Sequence, residues 1–271
     1  TEALLYGHRE SADVFNIKDN TLHFGPGQEI YLDHGNGGHL RAQSDWHDDV
    51  SLRFDIQSPY PGIVVGDGWY SVGNDSNARV WSAIIVPYAR IDGVLSTGGK
   101  DRQVRGWVVG THHFYTRLPN QLFVHRQIVA GKMGLHVLVG VLWKENAKNS
   151  PGTGGVLALV SRSGAEFVSR TPDVSWTRIR KVREMIAPTA YVIRGKDELQ
   201  TLVVAGKVQP PKQTFALTDP LGPATTLAVR AVIGDPVTIR SQGFAEFEWV
   251  RPEYTSRNKG VLFVQTDHGD R

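Results

Sequence analysis

The chain has 271 residues, 40% of them hydrophobic and 21% charged, an ordinary globular composition that supplies one large core or two small ones and excludes disorder and collagen-like repeats. The 30 Lys and Arg against 27 Asp and Glu leave a formal charge of only +3, too small a surplus for a phosphate-binding face, so nucleic acid is not an expected partner. With no cysteine, disulfides, thiolate catalysis, zinc ribbons and iron–sulfur clusters are excluded on chemistry.

Twenty-nine Gly and fourteen Pro punctuate short runs rich in Val, Ile, Leu and aromatics, the pattern of an all-β chain. In chain order the predicted strands are Val50–Ile56, Ala78–Val86, Val104–Val109, Leu122–Val129, Leu135–Trp143, Val156–Ser161, Tyr191–Ile193, Leu199–Ala205, Thr225–Val232 and Gly243–Val250. Turn chemistry at Ile91-Asp92-Gly93, Ser163-Gly164 and Ile233-Gly234-Asp235 separates them. Only Thr177 to Ile186 reads as a helix or turn, with Arg178, Arg180, Lys181 and Arg183 spread around it and Pro188 ending it. Asn146 to Gly155 reads as a long hairpin loop in preference to an interdomain linker. The most apolar stretch, Met133 to Trp143, is too short for a bilayer and contains His136, so a soluble chain without a transmembrane segment is expected. Thr1 opens the sequence without Met or a signal-peptide pattern; a lost leader is left open and the cytoplasm is the expected location.

Most chemical motifs are missing. There is no Gly-x-Ser-x-Gly elbow, no Walker loop and no G-x-G-x-x-G, and an all-β chain lacks the strand–helix turns that such motifs need. The ten histidines show no His-x-His or Glu-x-x-His spacing, so neither a metal nor another cofactor is expected. Asp45, Asp48 and Asp49 around Trp46 and His47 read either as a proton donor, because crowded carboxylates raise one another's pKa, or as a solvated turn anchored by Trp46. Asn74-Asp75-Ser76 has only the form of a glycosylation acceptor. The unusual feature is a concentration of rings with polar tips: Trp69, Tyr70, Trp81, Tyr88, Trp107, His112, His113, Phe114 and Tyr115, a mixture suited to a bulky apolar ligand bearing a few polar groups. In a strand, His113 and Tyr115 share one face and His112 takes the other.

In the same region the order of features resembles a known superfamily. An apolar strand ends in Pro and an aromatic (Trp81 to Pro87-Tyr88), and a turn with Gly93 follows. Then come Gly98-Gly99-Lys100 and Val104-Arg105-Gly106-Trp107 leading to His112-His113. This order is similar to that of the tandem lipocalin-like superfamily of carotenoid hydratases, fungal survival-factor proteins and fungal Diels–Alderases. The resemblance runs on through HRQIVAGKMGLHVLVGVLW, TGGVLALVSRSGAEFVS and the strand Gly243–Val250, covering roughly Trp46 to Val250. Where that family commonly reads His-Asp-His-Asn-Trp-Gly, this chain has His112-His113-Phe114-Tyr115-Thr116-Arg117. The missing Asp removes the proton donor that hydration of an unactivated alkene requires; a pericyclase, which depends on pocket shape and a few hydrogen bonds, suffers less.

The resemblance implies two packed antiparallel lipocalin-like domains, residues 1–119 and 120–271, joined near Pro119. It also implies a cofactor-independent cyclase of the Diels–Alderase type acting on a bulky apolar polyene, polyketide or terpenoid. His113, Tyr115 and His112 are the candidate catalytic donors, and Trp46, Trp69, Tyr70, Trp81, Trp107, Phe114 and His125 the candidate substrate contacts. The alternatives are a lipid or isoprenoid carrier using the same pocket, and a hydratase or isomerase using Asp48, Asp49 or Glu246.

Overall fold

In the computed structural model the described residues are 15–18, 21–24, 28–33, 39–47, 50–73, 75–145, 152–182, 185–211, 213–216, 222–233 and 237–268, with the backbone alone used before Ser58. Nearly all of them lie in antiparallel strands: β1 (Phe15–Lys18), β2 (Thr21–Phe24), β3 (Gln28–Asp33), β4 (His39–His47), β5 (Val50–Gln57), β6 (Ile63–Ser71), β7 (Arg79–Thr97) and β8 (Lys100–Tyr115). The short helix α1 (Pro119–Leu122) precedes β9 (Phe123–Met133), β10 (His136–Glu145), β11 (Thr153–Ser161), β12 (Gly164–Ser169), β13 (Asp173–Val182), β14 (Met185–Lys196), β15 (Thr201–Val208) and β16 (Gln213–Ala216). Helix α2 (Pro223–Ile233), β17 (Val237–Val250) and β18 (Thr255–His268) complete the order. The all-β expectation holds, and no described helix is long and apolar enough to cross a membrane.

The chain divides into two compact units, Thr1–Pro61 with Val86–Gly110, and Gly62–Ile85 with Thr111–Arg271. In the first, β1 to β5 form a meander that continues onto the second part of β7, with Val50 opposite Thr97 and Gln57 opposite Arg90. The expected turn at Ile91-Asp92-Gly93 is absent: these residues pair in mid-strand with Ile56, Asp55 and Phe54, because a continuous ladder satisfies more backbone groups than a local turn does. Trp107 stacks on Tyr88 at 5.7 Å between centroids, and Tyr60 meets Tyr88 edge-on at 6.2 Å.

The second unit is built on a sheet ordered β12-β11-β10-β9-β18-β17-β15-β14-β13, with β16 beside β17. One face encloses a core that includes Leu138, Leu159, Phe167, Ile193, Phe247 and Leu262. Phe167 comes from one end strand and Val174 and Trp176, packed on the same cluster, from the other, so the sheet curls until its ends share one interior. The opposite face of β10 and β11 is equally dry. Val137, Val139 and Val141 alternate with the core residues Leu138 and Leu142, and all five are at most 1% exposed. Burial on both faces is why Val137–Trp143 reads as an unbroken apolar run, whereas β17, with one wet face, alternates. On the outer side, Tyr70 of β6 meets Trp143 of β10 edge-on at 5.4 Å.

Two expectations are corrected. Thr225–Val232 is not a strand but lies in α2. Pro223 starts the helix and the Thr226 amide donates to the Gly222 carbonyl at 2.9 Å, a one-turn closure that outweighs the weak strand preference of the β-branched residues. Conversely, within Thr177–Ile186, residues 177–182 form the end of β13 and 185–186 the start of β14, with Arg180 opposite Ala187 and Lys181 opposite Ile186; residues 183–184 lie outside the described residues. The cations of β13 decorate an edge strand, where charge discourages further pairing.

Gly155 has φ near 133°, and a Cβ there would fall on the Val141 carbonyl and 2.9 Å from Leu142 Cα. The variant Gly155→Ala is expected to lose about 2–4 kcal/mol of stability in urea titration, the sum of a strained φ and an overpacked strand pair.

Candidate functional site

Strand alternation splits the ring-rich stretch. On β8, His112 meets Phe114 at 4.6 Å and both face Trp81 of β7, at 5.7 and 5.8 Å. Phe114 is 56% exposed, so this side is a surface strip. Gly68, with φ near 80°, lies so close to Trp81 that a Cβ would overlap the indole, and the Asp67 carbonyl accepts the Trp81 Nε1 proton at 3.0 Å. Trp69 lies opposite Trp81 in the ladder, under the Arg79 guanidinium at 4.8 Å. His113 and Tyr115 take the other face, rings stacked 6.1 Å apart.

On that face a charged network holds Tyr115. Arg126 of β9 donates to the Tyr115 hydroxyl through Nη1 and to Asp267 Oδ2 of β18 through Nε at 3.1 Å and Nη2 at 2.6 Å. Asp267 also accepts from Thr238 Oγ1 at 2.8 Å and Gln265 Nε2 at 3.0 Å. The register sets Arg126, Asp267 and Thr238 side by side on three neighbouring strands. Four donor atoms around one carboxylate, two of them from a single guanidinium, give Tyr115 a rigid support. Since the hydroxyl accepts from Arg126, its own proton is left to donate. Burial pushes the Tyr115 phenol above its ordinary range against the opposing pull of Arg126, so it stays protonated. Burial and then the nearby Arg126 charge push His113 down to about 3, so its ring is neutral.

Beyond Tyr115 the aromatics continue: Tyr115 to Phe123 at 6.1 Å, Phe123 to Trp143 at 5.6 Å, Trp143 to Tyr70. Four buried polar atoms along this wall have no hydrogen-bond partner among the described residues: both His113 ring nitrogens, Trp143 Nε1 and the Tyr70 hydroxyl. Buried polar groups are normally satisfied, so these four atoms are the ones left open to a further hydrogen bond.

The remaining candidates lie apart. Trp107 belongs to the Tyr88 stack of the first unit. Trp46 sits in β4 next to a register shift, its side chain outside the description; Asp48 and Asp49 lie outside the described residues. His125 points to the face of β9 opposite Arg126 and stacks on Trp176 at 4.3 Å. There burial, with His268 and Lys144 nearby, pushes it down to about 3. Its neighbour Gln127 links Trp176 Nε1 to Thr266 Oγ1, at 3.3 Å each. Glu246 is on the outer face of β17, exposed and paired with Lys259 at 2.6 Å, which gives a carboxylate there no buried partner to act on. Among the described residues no three His, Cys, Asp or Glu converge as metal ligands. Sequence reasoning missed Arg126 and Asp267. Each sits among other polar residues of its strand, His125 and Gln127 in one and Gln265, Thr266 and His268 in the other, so nothing local singles it out, and 141 positions separate them.

No protein-family model and no curated protein matches the chain. Solved structures do. An AttH-type protein from Nitrosomonas europaea superposes with TM-score 0.57 at 12% identity over 94% of this chain and 72% of its own. Kievitone hydratase from Nectria haematococca does so with 0.53 at 11% over 90% and 69%. CghA, solved alone and with Sch210972, gives 0.60 and 0.59, each at 9% identity over 90% and 74%. At these identities the likeness is one of fold, and that fold is the lipocalin-like one to which the sequence resemblance pointed.

Proposed function

We propose that the protein is a cofactor-independent enzyme of the pericyclase type, acting on a bulky apolar polyene that carries a conjugated carbonyl, with Tyr115 and His113 as the polar groups of the site. The observation that carries this reading is the Asp267–Arg126–Tyr115 chain ending beside a neutral His113 whose ring nitrogens are both unpartnered. The neighbouring solved structures add support: one is a hydratase by name and another was solved with Sch210972.

In an intramolecular [4+2] closure two carbon–carbon σ bonds form at the expense of two π bonds and the remaining diene π bond shifts. No atom enters or leaves, and no proton is transferred. The protein's tasks are to fold the chain and to polarise the dienophile. Phe123, Trp143 and Tyr70, all buried at 8% exposure or less, form the apolar backing of the two polar groups, and confining an extended polyene beside Tyr115 removes conformational freedom worth several kcal/mol of barrier at about the scale of intramolecular reactions. The Tyr115 phenol, held from behind by Arg126, donates to the carbonyl oxygen as negative charge gathers there. A fixed donor of this kind contributes about 10²–10³ in rate. His113 in its neutral form adds a second donor or an acceptor without burying a charge. The tandem arrangement of two lipocalin-like domains joined near Pro119 is part of the same proposal.

Three outcomes separate the readings when purified protein is incubated with linear polyenes bearing an activated alkene and the products are weighed by mass spectrometry. A cyclase yields an isomer of unchanged mass and new retention time, a hydratase a product heavier by one water, and a carrier returns the polyene intact. With an active substrate in hand, Tyr115→Phe and His113→Leu should each lower kcat by about ten- to a thousandfold while the melting temperature moves by only about a few degrees. His112→Leu, on the opposite face of β8, should leave turnover near wild type. Full activity in the Tyr115 and His113 variants would move the site elsewhere.

The pH profile gives an independent check. His113 pushed down to about 3 and Tyr115 raised above its ordinary value of 10.0 keep both groups in one protonation state from about pH 5 to about pH 9, so kcat/KM should be flat over that span. A bell-shaped profile centred near neutrality would favour the acid–base alternative.

A further inference from the structure

The outer face of the second unit's sheet carries a feature that the proposed reaction does not use. The pairing registers bring Arg178, Ala190, Lys207, Phe244, Val261 and Lys132 into one row as successive neighbours on β13, β14, β15, β17, β18 and β9. At the usual strand spacing that row spans about 24 Å. At its centre Phe244 is 67% exposed and Val261 39%, although Ala245 and Phe247 on the same strand are buried at 2% each. The strand is therefore firmly anchored, and Phe244 is exposed because its face is open. Arg178, Lys207 and Lys132 are exposed and make no ion pair among the described residues. The acids of the neighbouring rows are already neutralised, Glu246 by Lys259 at 2.6 Å and Glu248 by Arg257 at 2.7 Å. What remains is an apolar centre flanked by uncompensated cations.

We propose that this face docks the protein on an anionic lipid surface. An aromatic and an aliphatic side chain standing out between lysines and an arginine match the layering of such a surface, where apolar groups enter the acyl boundary and ammonium and guanidinium groups meet phosphate and carboxylate heads. A second copy related by a two-fold axis would set the same cations against one another. The row stands on charge and exposure and does not need the reaction above. It shares its face with Thr238 and Asp267, six residues along β17 and β18, about 20 Å away.

Flotation with vesicles tests this. The wild type should float with vesicles of phosphatidylcholine mixed with phosphatidylserine, stay behind with phosphatidylcholine alone, and be released as salt is raised. Lys132→Gln and Lys207→Gln should each weaken binding about fivefold and Phe244→Ser about tenfold, with unchanged melting temperatures since all three side chains face water. The proposal is overturned if the wild type ignores the anionic vesicles, or if these variants bind as the wild type does. It is equally overturned if the protein binds polyglutamate but not vesicles, or if sedimentation shows a dimer that Phe244→Ser dissolves. Loss of vesicle binding in a variant that keeps full turnover separates this surface from the reaction.

Discussion

The organisation of the second unit depends on two neighbouring strands that are dry on both sides. Strands β10 and β11 have water on neither face, so each residue must be apolar or have its polar groups satisfied within the protein. Alternation then assigns the side chains without ambiguity. Even and odd positions of the same strand serve two different interiors, one the curled core around Leu138 and Phe247, the other the layer in which Tyr70 meets Trp143. A one-residue slip of β9 against β10 would exchange Arg126 with His125 and place a guanidinium in the hydrocarbon core, so the register is fixed strongly.

Within the outer layer the Arg126–Asp267 pair organises the polar groups. An isolated guanidinium or carboxylate at this depth would be costly, and each is tolerated because the other is there, with Thr238 and Gln265 completing the carboxylate's bonds. The consequence for Tyr115 is orientation: its hydroxyl is directed by a guanidinium whose Nε–Nη2 edge is itself held by Asp267. A hydroxyl held in this way does not need to reorganise when it meets an acceptor.

The sequence made the class of fold readable because strand length, Gly and Pro punctuation and alternation are local properties, and β5, β9, β10, β11 and β17 begin or end near the expected positions. It was misleading where local and distant forces disagree. Ile91-Asp92-Gly93 has turn chemistry and lies in mid-ladder; TRIRKV has a helix-like spread of charge and lies on a sheet edge; Thr225–Val232 has strand propensity and closes into a helix. For the site, the opposite facing of His112 and His113 follows from period two alone. Their partners do not: Tyr115, Arg126 and Asp267 come from three strands, and only the folded ladder reveals that Asp267 stands beside Arg126.

The discontinuity of the two units bears on biosynthesis. Residues 62–85 belong with 111–271, so on a ribosome β6 and the first part of β7 emerge before any of β9, β10 or β11 exists. Val72, Val80 and Ile84, all at most 1% exposed in the finished protein, wait for their partners while many tens of residues are translated, several seconds at about 5–20 residues per second. During that interval a nascent hairpin of apolar strands is open to mispairing, so demand for chaperone holding should peak midway through translation.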